Sequence, residues 1–192
     1  RRVFPVFPRR VSETTVRRLS LYLRTLERLL EEGVGHVSST QLAERAGTTA
    51  AQVRKDLSAF GSFGTRGRGY PVADLHLRIR SILGLDRPWK VALVGAGRIG
   101  SALHAYPHFR DRGFRIVGIL DDDPAKVGRR WGEVTIRPAS ALEALVRAEG
   151  VEIVILAVPA GAAQPLAERA VEAGVRGILN FAPIRLRLPP EV

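Results

Sequence analysis

The sequence contains no cysteine and no methionine, and Asn180 is its only asparagine. Without thiols there is no disulfide, no thiolate nucleophile and no Cys-based zinc site. The four histidines, His36, His76, His104 and His108, do not fall at metal-ligating spacings, so no metal is expected. Lysine is scarce as well: apart from Lys55, Lys90 and Lys126, the basic residues are all arginine. A shortage of thermolabile residues suits a thermophile, and a GC-rich genome accounts equally for the arginines. No apolar run reaches the length of a bilayer span. The longest, VEIVILAVP at 151–159, is interrupted by Glu152 and reads as a buried strand. No charged-then-apolar leader opens the chain, so secretion is not expected and a cytoplasmic location is.

What is present is enough for two domains. The chain has 192 residues, of which 45% are hydrophobic, a share that supports a packed core rather than disorder. The net charge is +11, and it is uneven: residues 1–87 carry 16 basic and 8 acidic groups, residues 88–192 carry 14 and 11. A basic excess in one half points to a polyanion partner for that half, provided a docking element lies there too.

Such an element is legible. Ser12 caps a predicted helix in which Val16, Leu19, Leu23, Leu26 and Leu30 recur at helical spacing, and Gly33 stops it. Ser38 or Ser39 caps a short second helix, QLAERA; Gly47 breaks it, and Thr48 or Thr49 caps a third, TAAQVRKDLSAF. Ala43, Gly47 and Val53 match a helix-turn-helix, which needs a small residue at the crossing, a turn glycine and a branched core residue. Position 56 is Asp where an apolar residue is more usual, and Leu57 is the candidate for that core role. Val53, Leu57 and Phe60 share the inner face of the third helix. Thr49, Gln52 and Lys55, with Arg54 and Ser58, lie away from it and are the candidate DNA-reading residues: Gln bonds adenine, Lys and Arg reach guanine or phosphate.

The segment FGSFGTRGRGY follows, from Phe60 to Tyr70, and a further helix is predicted over 73–83. Placed there, its four glycines suit a β-hairpin wing alongside DNA, with Arg66 and Arg68 on one side of an extended strand and Tyr70 at its end. Gly61-Ser62-Phe63-Gly64 also matches a bare RNA-binding GxxG loop, but the flanking element order fits that poorly.

After Pro88 the pattern changes. KVALV reads as a strand, Gly95-Ala96-Gly97-Arg98-Ile99-Gly100 as a GxGxxG turn, and SALHAY as a helix. In that order the glycines admit a dinucleotide pyrophosphate at the helix N-terminus. A second strand, FRIVGIL, ends at Asp121, where the acid that bonds adenosine ribose belongs. An acid there repels a 2′-phosphate, so NAD(H) is expected over NADP(H). Later strands end near Val158 and Pro159 and near Asn180 and Phe181, the candidate nicotinamide edge. The alternation predicts a parallel sheet. The fold class expected is therefore α/β: a winged helix-turn-helix domain over 1–87, then a Rossmann-type NAD(H)-binding domain over 88–192.

A dehydrogenase needs a substrate region with an acid or base, and here nearly everything outside the nucleotide half is basic and helical. A small NAD-dependent oxidoreductase with a basic accessory domain is the alternative; a non-enzymatic sensor joins both halves. The runs QVRKDLSAFGSFGTRGRGY, VGAGRIGSAL, LDDDPAKVG and GILNFAP resemble the Rex family, the bacterial redox-sensing transcriptional repressors. The resemblance extends from about Ser12 to the end. It implies a homodimer that binds a palindromic operator when NADH is scarce and releases it when NADH, rather than NAD+, is bound. It implies Lys126 of the third run as a further cofactor-binding residue, and Arg24 and Tyr106 as relay positions between the domains. It also implies a final helix swapped between subunits. This sequence ends at LRLPPEV without one, either because it is cut short or because this member lacks the swap.

Overall fold

The computed structural model describes residues 11–65 and 67–192, so the expectation for Arg66 lies outside the described residues. The chain divides between Asp86 and Arg87 into two compact units. No described helix is long and apolar enough to cross a membrane.

The first unit is built on α1 (Glu13–Glu31), whose N-cap Ser12 accepts the Thr15 backbone N–H. Its buried stripe is Leu19, Tyr22, Leu23, Leu26 and Leu29. Val16 and Leu30, expected on that stripe, are 41% and 38% exposed. The stripe is centred on Tyr22 and Leu29, which turns Leu30 to its edge and leaves Val16 a turn before the first fully buried position. A two-residue strand, β1 (His36–Val37), precedes α2 (Ser39–Ala46). Ser38 caps α2 in a reciprocal capping box with Gln41, and Gly47 ends it in the left-handed conformation. Thr49 caps α3 (Ala50–Ser58). After the glycine-rich segment, β2 (Tyr70–Pro71) pairs antiparallel with β1, and α4 (Val72–Ile82) lays Leu75 and Ile79 into the core with Leu19, Leu26, Val53 and Leu57.

In the second unit β3 (Trp89–Val94) is central. On one side of it lie β4 (Phe114–Asp121) and then β6 (Val134–Pro138); on the other lie β7 (Ile153–Leu156) and then β8 (Gly177–Asn180). All these neighbours are parallel, as the alternation predicts. The strand expected over 151–159 is confined to Ile153–Leu156. Successive residues of β3 alternate sides: Ala92 and Val94 join one core cluster, Val91 and Leu93 the other. The first cluster is covered by α7 (Leu142–Glu149) and α8 (Ala160–Glu172), the second by Leu103 of α5 (Arg98–Ala105) and Phe109 of α6 (Pro107–Asp111). Two elements come without a clear announcement in the sequence: α7, and a hairpin of β5 (Arg130–Trp131) against β6 at the sheet edge.

Because β3 precedes every other strand of the sheet in sequence and the chain builds outward from it in both directions, strand order reverses beside β3. In open α/β sheets the crevice beyond the strand C-termini at such a reversal is where ligands bind.

Candidate functional site

In the first unit, α2, α3 and the hairpin enclose a concave groove. It is lined in part by Ser38, Ser39, Arg54, Ser58, Arg68 and Tyr70. Thr49, Arg54, Lys55 and Ser58 are exposed, and Gln52 and Tyr70 half-buried. Several of these side chains already have partners. Thr49 Oγ1 accepts the Gln52 backbone N–H, Arg54 donates to Ser39 Oγ at 3.0 Å, and Ser58 donates to the Lys55 carbonyl. The hairpin closes through Thr65 and Gly69, each donating its N–H to the other's carbonyl at 3.2 Å. Gly67 (φ +83°) and Arg68 sit in the turn. This corrects the extended strand expected there: the positive φ reverses the chain before a strand can form, so Arg68 stands exposed at the hairpin tip.

Asp56 is only 3% exposed. Arg18 binds it with two parallel bonds, Nε to Oδ2 at 2.6 Å and Nη2 to Oδ1 at 2.8 Å. Tyr22 donates to Oδ2 at 2.9 Å and Gln52 Nε2 to Oδ1 at 2.8 Å. Burial alone pushes this carboxyl up; the bonds from Arg18, Tyr22 and Gln52 outweigh it and hold it below the usual carboxylate value. The same burial, with the carboxylate as neighbour, raises Tyr22 to about 12. Leu57 and Asp56 are thus both interior, one in the apolar core and one as the ion linking α3 to α1.

In the second unit the fingerprint turn lies at the C-terminal end of β3. A side chain on Gly95 (φ +102°) would run into the Ala157 carbonyl that follows β7, and one on Gly100 into the Gly95 carbonyl. Gly97 differs: a Cβ there would meet nothing within 4 Å. It is the N-cap of α5, with no side-chain cap on the helix's first N–H groups. Packing within the chain explains the first and last glycines but not the middle one. An open, uncapped helix N-terminus faced by a residue without a side chain fits a dinucleotide pyrophosphate. Arg98 and Ile99 are exposed beside it. The helix begins at Arg98, inside the fingerprint, not at Ser101 as expected.

Asp121 closes the adjoining strand. Its Oδ2 accepts the Ala96 N–H at 2.7 Å and Lys126 Nζ at 3.2 Å, and its Oδ1 accepts the Asp123 N–H at 2.8 Å. Burial pushes the carboxyl up, but these bonds prevail and lower it. It therefore stays ionised and ties the fingerprint turn to β4, and Oδ1, with one bond, keeps acceptor capacity for a ribose hydroxyl. Val158 and Pro159 follow β7, and Asn180 and Phe181 end β8, so the neighbouring strands bring all four to one edge. Phe181 is 41% exposed there. Asn180 is internally engaged: its Nδ2 donates to the carbonyls of Ala182 and Ile184 and its Oδ1 accepts the Ala182 N–H.

Comparison with known proteins agrees with both units. Residues 10–58 match the family described as "Putative DNA-binding protein N-terminus" and residues 86–184 the "CoA binding domain" family. The redox-sensing transcriptional repressor Rex of Carboxydothermus hydrogenoformans is 51% identical over 95% of this chain and 88% of its own length. That of Desulforamulus reducens is 49% identical over 95% and 87%. This chain belongs to the Rex family of redox-sensing transcriptional repressors. Among solved structures, the Rex-family repressor RSP superposes with a TM-score of 0.89 at 38% identity, over 95% of this chain and 85% of RSP. RSP in complex with β-NAD+ and operator DNA gives 0.90 at 39% identity over 94% and 83%. RSP in complex with β-NADH gives 0.88 at 38% identity over 96% and 86%. The overall expectation of a helical DNA-binding half and a Rossmann-like half is met, and the relatives are repressors rather than enzymes.

Within this Rex chain, the structure gathers Arg54, Ser58, Arg68 and Tyr70 around one groove, which Thr49, Gln52 and Lys55 do not line, and the fingerprint, Asp121 and Lys126 around one crevice. Arg24 and Tyr106 lie in different units, each exposed on its own. The sequence reading missed β1, the hairpin's scaffold, and the Ser39 hydroxyl that holds Arg54. Ser38 and Ser39 were legible only as alternative caps; the structure makes Ser38 the cap and frees Ser39 for the groove.

Proposed function

We propose that this chain is an NADH-sensing transcriptional repressor in which residues 1–87 hold operator DNA and residues 88–192 hold NADH or NAD+. The observation that supports it best is the coexistence in one chain of an exposed basic helix-turn-helix groove and a dinucleotide crevice whose middle glycine has no packing reason to be glycine. The operator is double-stranded and palindromic, and the working form is a homodimer, since two-fold DNA sites are read by two-fold proteins. A repressor works where the chromosome is, which in a bacterium is the cytoplasm.

The residues divide the work as follows. Gly95, Ala96, Gly97 and Gly100 with α5 hold the pyrophosphate; Asp121 accepts from the ribose hydroxyls, with Lys126 steadying it. Arg54, Ser58, Arg68 and Tyr70 meet DNA from the groove, Thr49 and Gln52 from the start of α3, and Lys55 from further along it. The reduced nicotinamide ring is neutral and the oxidised ring is charged. Val158, Pro159, Ile99 and Phe181 offer apolar surface, which penalises a ring that must shed hydration to enter. NADH then favours one arrangement of the halves and the operator the other, with Arg24 and Tyr106 as relay contacts.

A gel shift on a palindromic operator, titrated with NADH and separately with NAD+, tests this. The operator should be released by NADH and retained with NAD+; equal operator affinity with saturating NADH and without it would overturn the reading.

A further inference from the structure

We propose that Asp56 is a positioning residue for base reading: it fixes which way the Gln52 carboxamide faces, so that α3 presents one defined acceptor–donor pair to the major groove. This rests on the reading of α3 as the recognition helix. A carboxylate on a helix that approaches phosphates is electrostatically costly, and Asp56 stands where apolar residues are more usual. It is buried, and its four contacts, from Arg18 Nε and Nη2, Tyr22 Oη and Gln52 Nε2, fill the acceptor sites of both oxygens. Arg18 neutralises it. Arg18 and Tyr22 fill both acceptor sites of Oδ2 and one of Oδ1, and Gln52 fills the last, so the buried carboxylate and the amide are ordered together.

An ionised carboxylate only accepts. The atom of Gln52 that faces it is therefore Nε2, because Oε1 would meet it acceptor to acceptor. The bonds that keep Asp56 ionised keep this discrimination in force. One N–H of the amide is spent on Asp56 at 2.8 Å. The Oε1 and the second N–H remain, an acceptor and a donor on one amide. That pair complements the adenine edge, whose N6–H donates and N7 accepts. A freely rotating Gln offers the pair in either order; a Gln held by Asp56 offers one. Gln52 is half-buried in the first turn of α3, so the residue keeps part of its surface in solvent.

The test uses the full chain and an operator it selects from random duplexes. Each adenine is replaced in turn by 7-deazaadenine, which lacks N7, and by purine, which lacks the N6 amino group, and affinity is read by fluorescence anisotropy. For the wild type both replacements at one adenine per half-site should weaken binding, by between about fivefold and 150-fold. Gln52→Ala should erase both penalties. Asp56→Asn, whose amide can face Gln52 with either atom, should shrink them at that adenine alone. Tyr22→Phe removes a different bond to Asp56 and should lower stability while leaving the penalties intact. If Asp56→Asn does not fold, Asp56→Glu, which keeps the charge but shifts it by a methylene, is read in the same way. Penalties erased in Gln52→Ala but unchanged in the Asp56 variant overturn the positioning role and leave α3 as the reader. Penalties erased equally in Tyr22→Phe overturn it in favour of a structural role. Penalties indifferent to Gln52→Ala overturn it as well, and absence of any selected operator overturns the α3 reading beneath it.

Discussion

At the scale of single residues, the three fingerprint glycines look alike in sequence and are not alike in the fold. Gly95 and Gly100 are demanded by the chain's own backbone, at the Ala157 and Gly95 carbonyls. Gly97 has ordinary negative φ (−91°) and open space before it. Gly97→Ala should therefore leave thermal stability close to wild type and abolish NADH binding, because its methyl occupies the approach to the helix N-terminus. Gly95→Ala should lower stability itself, through both the clash and the positive φ. Calorimetry of unfolding beside fluorescence titration with NADH checks this; a Gly97→Ala variant that binds NADH as tightly as wild type refutes the pyrophosphate placement. The fingerprint was legible because every part of it is local in sequence. Asp56 was not: its partners Arg18 and Tyr22 stand 38 and 34 residues away. The sequence could mark the residue as out of place but not say what held it. Thr49 was legible as a cap and is one; Gln52 was read for its side-chain chemistry and Asn180 for its strand-end position, and each first serves a neighbour within its own unit.

At the scale of elements, the proposed DNA face of α3 and the hairpin carries the exposed cations Lys55 and Arg68. Such charges act mainly by releasing counterions. Lys55→Ala and Arg68→Ala should each flatten the dependence of log affinity on log salt by about one for each phosphate no longer neutralised. Binding measured from low to moderate salt gives the slope; an unchanged slope in both variants removes this face from the interface. In the second unit α7 and α8 are joined by Glu143 and Arg169, bonded in parallel at 2.6 and 2.7 Å, and Arg169 also reaches the Ala139 carbonyl. The bond from Arg169 leads in holding Glu143 at about 2, below its ordinary 4.5. A carboxyl depressed on folding stabilises fully above its unfolded value and loses that contribution as pH falls towards the folded one. Glu143→Gln should thus be less stable than wild type at pH 7, with the gap closing between about pH 4.5 and about 2. Chemical denaturation across that range measures it, and a gap independent of pH contradicts it. α7 itself was hard to see because its helical pattern is brief and flanked by a 3₁₀ turn over Ala139–Ala141. The β5–β6 hairpin was hard because β5 has only two residues and β6 takes its second partner, β4, from earlier in the chain.

At the scale of the whole molecule, repression that responds to redox state requires that two ligands bias one equilibrium. Each must prefer a different arrangement of the two units, and neither can shift the balance by more than its own preference. Linkage then fixes a relation between two measurements that share no readout. If saturating NADH lowers operator affinity by some factor, saturating operator must lower NADH affinity by the same factor, about 5- to 150-fold for a typical coupling. The first comes from anisotropy of labelled operator at fixed NADH, the second from NADH fluorescence at fixed operator. Agreement between the factors is expected at any single salt concentration, and both should shrink together in a variant at Arg24 or Tyr106 that keeps each ligand's separate affinity. Two factors of one, with both ligands saturating and the chain in one assembly state, would mean that NADH and DNA do not act through a shared equilibrium. A crevice and a groove on the same chain would then be two functions side by side rather than a sensor joined to its output.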